Sequence, residues 1–194
     1  MIPPDSDTLS VRRLLAPVLA MAAIVLLSNV LVQYPITDWL TWGAFSYPIT
    51  YFVTDVCNRW SGPRLARRVA WAGFITGAIA SVIVALGQDD RTLGLRIAGA
   101  SGAAFIVSQL LDVAIFNRLR RQSWWKAPLW GSAIASVVDT AIFFSLAFAG
   151  TGFNWTLLAA GDLGVKLLMA AALLVPFRAT VAFVTRQQPP NASA

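Results

Sequence analysis

Apolar runs of bilayer-crossing length, separated by short polar or basic stretches, divide the chain into six predicted helices. The first, Leu14 to Val32, has 19 residues, enough at about 1.5 Å per residue to cross a hydrocarbon core of about 30 Å. It is long for the apolar core of a signal peptide and lacks a small-x-small cleavage site, so it reads as a retained span. The second, Trp42 to Asn58, is the most polar, with Thr50, Tyr51, Thr54, Asp55 and Asn58. Its Pro48 predicts a kink or break, because proline removes a helical hydrogen bond. Tyr51 and Asp55 are four apart, as are Thr54 and Asn58, so two adjacent rows of one face are polar. The third span is Val69 to Leu86, the fourth Ile97 to Leu119, the fifth Pro128 to Ala149 and the sixth Thr156 to Phe183, with a kink or end near Pro176. The reading is an all-α, polytopic membrane protein: a six-helix domain over 14–183 between polar tails at 1–13 and 184–194, the second expected to be disordered.

Charge orients these spans. With the N-terminus in the cytoplasm, Arg12, Arg13, Arg59, Arg64, Arg67, Arg68, Arg118, Arg120, Arg121, Lys126, Arg178 and Arg186 fall inside, and only Arg91 and Arg96 outside. That asymmetry places both termini in the cytoplasm. Trp124 and Trp125, beside the cations of the loop after the fourth span, fit the membrane interface. On the third span Gly73, Gly77 and Ser81 recur every four residues, a ridge that lets helix backbones approach closely. It suits packing within one chain, and would equally allow a homodimer.

Composition agrees. Hydrophobic residues make up 57% and charged residues 12%, with a mean hydropathy of +0.66, and the charged share is about half that of a soluble domain. The net charge of +6 comes from cations flanking the apolar runs, which suits a lipid surface and argues against nucleic acid as a partner. The chain has one cysteine, Cys57, and no histidine, and all nine acids are aspartate. Thiolate and histidine metal sites, histidine proton relays and Ser-His-Asp triads are therefore excluded. There is no P-loop and no Gly-x-Ser-x-Gly elbow, and Ala159 spoils the Gly-x-Gly-Asp pattern of intramembrane aspartyl proteases. Neither an enzyme nor a cofactor is expected.

The candidate chemistry lies in two matched blocks. Asp112-Val113-Ala114-Ile115-Phe116 recurs as Asp139-Thr140-Ala141-Ile142-Phe143, each with its carboxylate deep in an apolar run. A carboxylate there is costly and needs a partner, a wet cavity or a function. Ser101, Phe105, Ser108 and Asp112 share one face of the fourth span, bordered by Gln109. Ser132, Ser136, Asp139 or Thr140, and Phe143 repeat the arrangement on the fifth. Facing each other, the two helices would form a pocket of hydroxyls, carboxylates and aromatic faces. On the sixth span Asp162 and Lys166 stand four apart in the order that favours a helical ion pair. Lys166 could also balance Asp112 or Asp139. Asp55 ends the second span near the basic loop, as a partner for its arginines or as a contact at the inner mouth.

Several spaced motifs together resemble one family. They are Tyr47-Pro48-Ile49-Thr50-Tyr51-Phe52-Val53-Thr54-Asp55-Val56, Gln109-Leu110-Leu111-Asp112-Val113, Phe116-Asn117-Arg118-Leu119-Arg120 and Trp124-Trp125-Lys126-Ala127-Pro128, followed by Ser136, Asp139-Thr140, Phe143-Phe144, Asp162, Lys166 and Pro176. From about Leu14 to Pro176 the chain resembles the bacterial queuosine precursor transporters, earlier described as vitamin uptake transporters. The resemblance implies a six-span protein of the bacterial inner membrane that imports 7-deazaguanine bases, chiefly 7-cyano-7-deazaguanine, for queuosine in tRNA. Many members have Glu-x-x-Gly where this chain has Arg59-Trp60-Ser61-Gly62.

Such a base presents an N1–H and a 2-amino group side by side, which one carboxylate, Asp112 or Asp139, can accept as a pair. Gln109 can serve the carbonyl or ring nitrogens. Phe105, Phe143, Tyr51 or Trp71 can supply the flat slot. The candidate substrate site is Tyr51, Asp55, Asn58, Phe105, Ser108, Gln109, Asp112, Ser136, Asp139, Phe143 and Lys166. The competing reading is a six-span substrate-binding subunit of an ATP-driven vitamin transporter.

Overall fold

The structure, a computed structural model, describes residues 11–31, 34–37, 40–152 and 154–187. The ends of both predicted tails, and Asp38 of the first loop, lie outside the described residues. The chain forms α1 (Val11–Leu31), β1 (Pro35–Thr37), β2 (Leu40–Thr41), α2 (Gly43–Ser46), α3 (Ile49–Leu86), α4 (Arg91–Leu119), α5 (Lys126–Phe148), α6 (Thr156–Ala172) and α7 (Leu174–Gln187). Among the described residues five helical stretches are long and apolar enough to cross a membrane: 14–31, 43–86, 91–119, 126–148 and 156–183.

The predicted second and third spans are thus one helical stretch, and the expected basic loop between them is mostly helical. Only Gly62 leaves helical geometry, at φ 80° and ψ 176°. That region favours glycine, which has no Cβ to clash. Pro63 follows, and proline is well placed at the start of a new helix because its missing N–H is not needed there.

Contacts on either side of Gly62 fix the direction of each half of α3. Met21 and Val25 of α1 meet Gly73 and Gly77, and Asn29 accepts from Ser81. Both helices run in the same order, so α1 is parallel to the second half. Along α4 the order reverses: Gly94 packs on Ala85 and Gly102 on Phe74. Against the first half, α4 runs in the same sense, since Gln109 bonds Thr50 and Asn58 bonds the Val113 carbonyl. The two halves of α3 are therefore antiparallel, and the chain turns back at Gly62. The ridge of small residues on the second half is filled by α1 of the same chain.

The remaining helices alternate. Arg96 near the start of α4 donates to the carbonyls of Leu146 and Ala149 at the end of α5. Thr140 of α5 donates to Asp162 of α6. The expected kink near Pro176 falls at Leu173, between α6 and α7, because Pro176 has no N–H to continue the helical ladder. The all-α reading needs one correction: β1 and β2 pair as a short antiparallel hairpin in the first loop. Ile36 and Thr37 favour extended backbone, and Pro35, which cannot donate, starts the strand.

The bundle is polar inside and apolar outside. Thr50, Thr54, Asn58, Ser108, Gln109, Asp112 and Ser136 are fully buried, whereas Ile83 is 65% and Leu168 73% exposed. In water that distribution would be reversed; in lipid an apolar exterior costs nothing. One apolar cluster, with Met21, Val25, Cys57, Leu65, Ala66, Val69, Phe105 and Val113, joins α1, α3 and α4.

Candidate functional site: a cavity above two carboxylate systems

One end of the bundle carries the hairpin and the turns near Gln88 and Gly150. A cavity of about 510 Å³ opens there, lined by Thr41, Ser81, Gln88, Ala98, Phe144 and Phe148 among others. It leads into an inner pocket of about 120 Å³, with which it shares Asn29, Thr41, Ala44, Ser101, Phe143 and Asp162. Tyr47, Asp139 and Lys166 are among the residues that line the inner pocket alone.

The floor of that pocket is an ion triad. Lys166 Nζ donates to Asp139 Oδ2 at 2.7 Å and to Asp162 Oδ2. Ser108 donates to Asp139 Oδ1 at 3.1 Å, so both Asp139 oxygens are engaged. Asp162 uses one oxygen, Oδ2, for both Lys166 and the Thr140 hydroxyl. Helical spacing explains the assembly: Asp162 and Lys166 are one turn apart on α6, and Asp139 and Thr140 meet them from α5. A buried cation with two anions satisfies the rule that charges in an apolar interior come paired.

A second carboxylate system lies apart from these walls. Thr54 on α3 comes within 3.4 Å of Asp112 Oδ2 on α4, and Ser132 on α5 within 3.4 Å of Asp55 Oδ2 on α3. Gly131, next to Ser132, lies against Asp112; a Cβ there would stand 2.6 Å from Asp112 Oδ1. Asp55 and Asp112 thus share one three-helix junction. Further on, Arg59 donates to the Arg120 carbonyl at 2.9 Å and Arg120 to the Arg59 carbonyl at 3.2 Å. Phe116 and Phe177 meet edge-on with centroids 6.0 Å apart.

The candidate residues therefore separate. Asp139, Phe143 and Lys166 line the inner pocket, while Tyr51, Ser108, Gln109 and Ser136 are buried in the helix interfaces and outside its lining. Phe105 packs edge-on against Tyr47 at 5.8 Å, and Asn58 holds the Val113 carbonyl. Trp71 is 48% exposed on the outer face and pairs with Phe74. Sequence reasoning missed Ser28, Asn29 and Tyr47 in the pocket wall. The signal was present: Ser28-Asn29 is the only polar pair in the first apolar run.

A helical bundle with membrane-spanning helices and a mostly apolar cavity that ends on a buried ion triad is the architecture of a small-molecule transporter. Residues 41–181 match the family described as "Putative vitamin uptake transporter". The chain is 34% identical over 171 residues to the "Queuosine precursor transporter" of Escherichia coli (strain K12), covering 77% of each protein. It is 34% identical over 154 residues to the "Probable queuosine precursor transporter" of Haemophilus influenzae, covering 70% of this chain and 66% of that one. The corresponding Bacillus subtilis protein is 33% identical over 130 residues, 57% of each. No solved structure matches the chain. The chain belongs to this family of transporters, and the relatives it matches are named as transporters.

Proposed function

We propose that this protein imports a queuosine precursor, a 7-deazaguanine base and chiefly 7-cyano-7-deazaguanine, across the bacterial inner membrane. The turn at Gly62 supports counting α3 as two crossings, six in all, and the basic loops support placing both termini in the cytoplasm. On that topology the cavity faces outward. The observation that carries the reading is the ion triad at its floor. When the base enters, Lys166 stays with Asp162, and Asp139 accepts the N1–H and 2-amino group as a pair. Tyr47 and Phe143 border the flat ring. A pyrimidine or adenine leaves the carboxylate unmatched, at about 1–3 kcal/mol per buried group.

The test is uptake by cells that cannot synthesise the precursor, scored as queuosine in their tRNA. The wild-type chain should restore queuosine when the base is supplied. Asp139→Asn, present in the membrane at normal level, should not. Normal import by that variant would remove Asp139 from the site. Transport by the purified chain in liposomes without an ATPase separates a self-sufficient carrier from a binding subunit of an ATP-driven system.

A further inference from the structure

Asp55 and Asp112 are the buried charges that the triad does not explain. They are 2% and 0% exposed, and neither forms an ion pair among the described residues. Each has a single side-chain donor in reach, a hydroxyl at 3.4 Å, which is long for an O–H···O bond. Even these are shared: the one Thr54 proton also has the carbonyls of Thr50 and Tyr51 and the Gln109 oxygen within reach. Oδ1 of Asp55, Oδ1 of Asp112 and Oδ1 of Asn58 are all buried without a hydrogen-bond partner. Asn58 lies one turn beyond Asp55 and reaches the residue after Asp112. Three acceptors without donors at one junction are a deficit of protons, since buried polar groups are ordinarily satisfied. Two adjacent carboxylates without a cation cannot both ionise in an apolar interior.

We propose that Asp55 and Asp112 hold one proton between them, and that loading and release of this proton couples import of the base to the proton gradient. The proton enters from the outer water phase and leaves to the cytoplasm, with no covalent bond to the base made or broken. Bonds from Gln109 to Thr50 and from Thr54 to Gln109 cover the pair on the α3–α4 side, and the Arg59–Arg120 clasp lies one turn beyond it. Among the described residues the other titratable groups near the pair are the Tyr51 hydroxyl and the Cys57 thiol of α3; α4 and α5 present the uncharged Gln109, Ser132 and Gly131. From α6 and α7 it meets Ala170, Leu173, Leu174 and Phe177, which carry no charge. The coupling half of the proposal rests on the import reading; the proton-binding half does not.

Two measurements on the purified full chain test it. In the first, infrared spectra at neutral pH in H2O and D2O should show a protonated carboxyl band that shifts on deuteration. It should be lost in Asp55→Asn and in Asp112→Asn, where the amide supplies the missing donor and the remaining acid ionises. A wild-type protein without that band overturns the proton site. In the second, uptake of 7-cyano-7-deazaguanine into proteoliposomes should rise severalfold when the outside is made acidic. The two Asn variants should lose that response while Ile79→Leu, 58% exposed on the outer face of α3, retains it. Uptake indifferent to the gradient overturns the coupling. No uptake of the base under any condition removes the import reading instead, and the infrared band still decides the proton site.

Discussion

Removing Lys166, the single buried cation among the described residues, should unbalance the floor of the cavity, and Lys166→Met is the change that isolates it. Lys166 is 4% and Asp139 3% exposed, and their atoms are 2.7 Å apart. In the variant Asp139 keeps only the Ser108 hydroxyl at 3.1 Å. Breaking one side of a buried pair costs about 3–5 kcal/mol, because the remaining charge is left in a medium that cannot solvate it. For a chain of this size, about 2–4 °C of melting temperature accompanies each kcal/mol, so Lys166→Met should melt on the order of 10 °C below wild type in detergent. Asp139→Asn with Lys166→Met removes both members. Asp162 remains partly exposed and keeps its 2.9 Å bond from Thr140. The double variant should therefore recover most of the loss, whereas independent sites would add. Uptake should be absent from both. A Lys166→Met protein within about 2 °C of wild type, or a double variant as low as the sum of the singles, would refute the triad as a charge-balanced unit.

Two further changes probe the framework. Gly131→Ala places a methyl 2.6 Å from Asp112 Oδ1 and should cost about 1–3 kcal/mol by overpacking; the same substitution in an Asp112→Ala background should cost much less, read by thermal unfolding. Gly77→Leu, whose Cβ would meet Val25 at 2.9 Å, should lower melting by several degrees, while Ile79→Leu, 58% exposed on the same helix, should leave it unchanged.

The helices were legible in the sequence because each apolar run is long and bounded by charge. The α1 contact was half legible: Gly73, Gly77 and Ser81 announced a close packing partner, but not that Met21, Val25 and Asn29 would be the helix to fill it. The ion pair of Lys166 with Asp162 follows from their spacing of four. Its bond to Asp139, 27 residues away, depends on how α5 is rotated against α6, which no local pattern encodes. The same limit hides the difference between Asp112 and Asp139. Their blocks read almost alike, yet one faces a lysine and a cavity, the other a second acid and a glycine. Ser28 and Asn29 were overlooked because short polar residues in a span are most often packing devices.

The separation of the two carboxylate systems bears on energetics. A guanine-like base is neutral, so the membrane potential does no work on it, and a carrier with the triad alone could only equalise its concentration. A proton carried with the base brings one charge, worth about 2.3 kcal/mol per 100 mV, or about a fifty-fold accumulation at 1.4 kcal/mol per tenfold. The triad cannot supply that proton without losing the pairing that keeps its charges in lipid, since protonating Asp139 would release Lys166 from one of its two anions. Asp55 and Asp112 can, because no cation depends on either. On the proposed reading, recognition and driving force thus fall to different acids. A carrier in which Asp55 and Asp112 are both Asn, with Asp139 and Lys166 intact, should still bind the base and equilibrate it while failing to concentrate it.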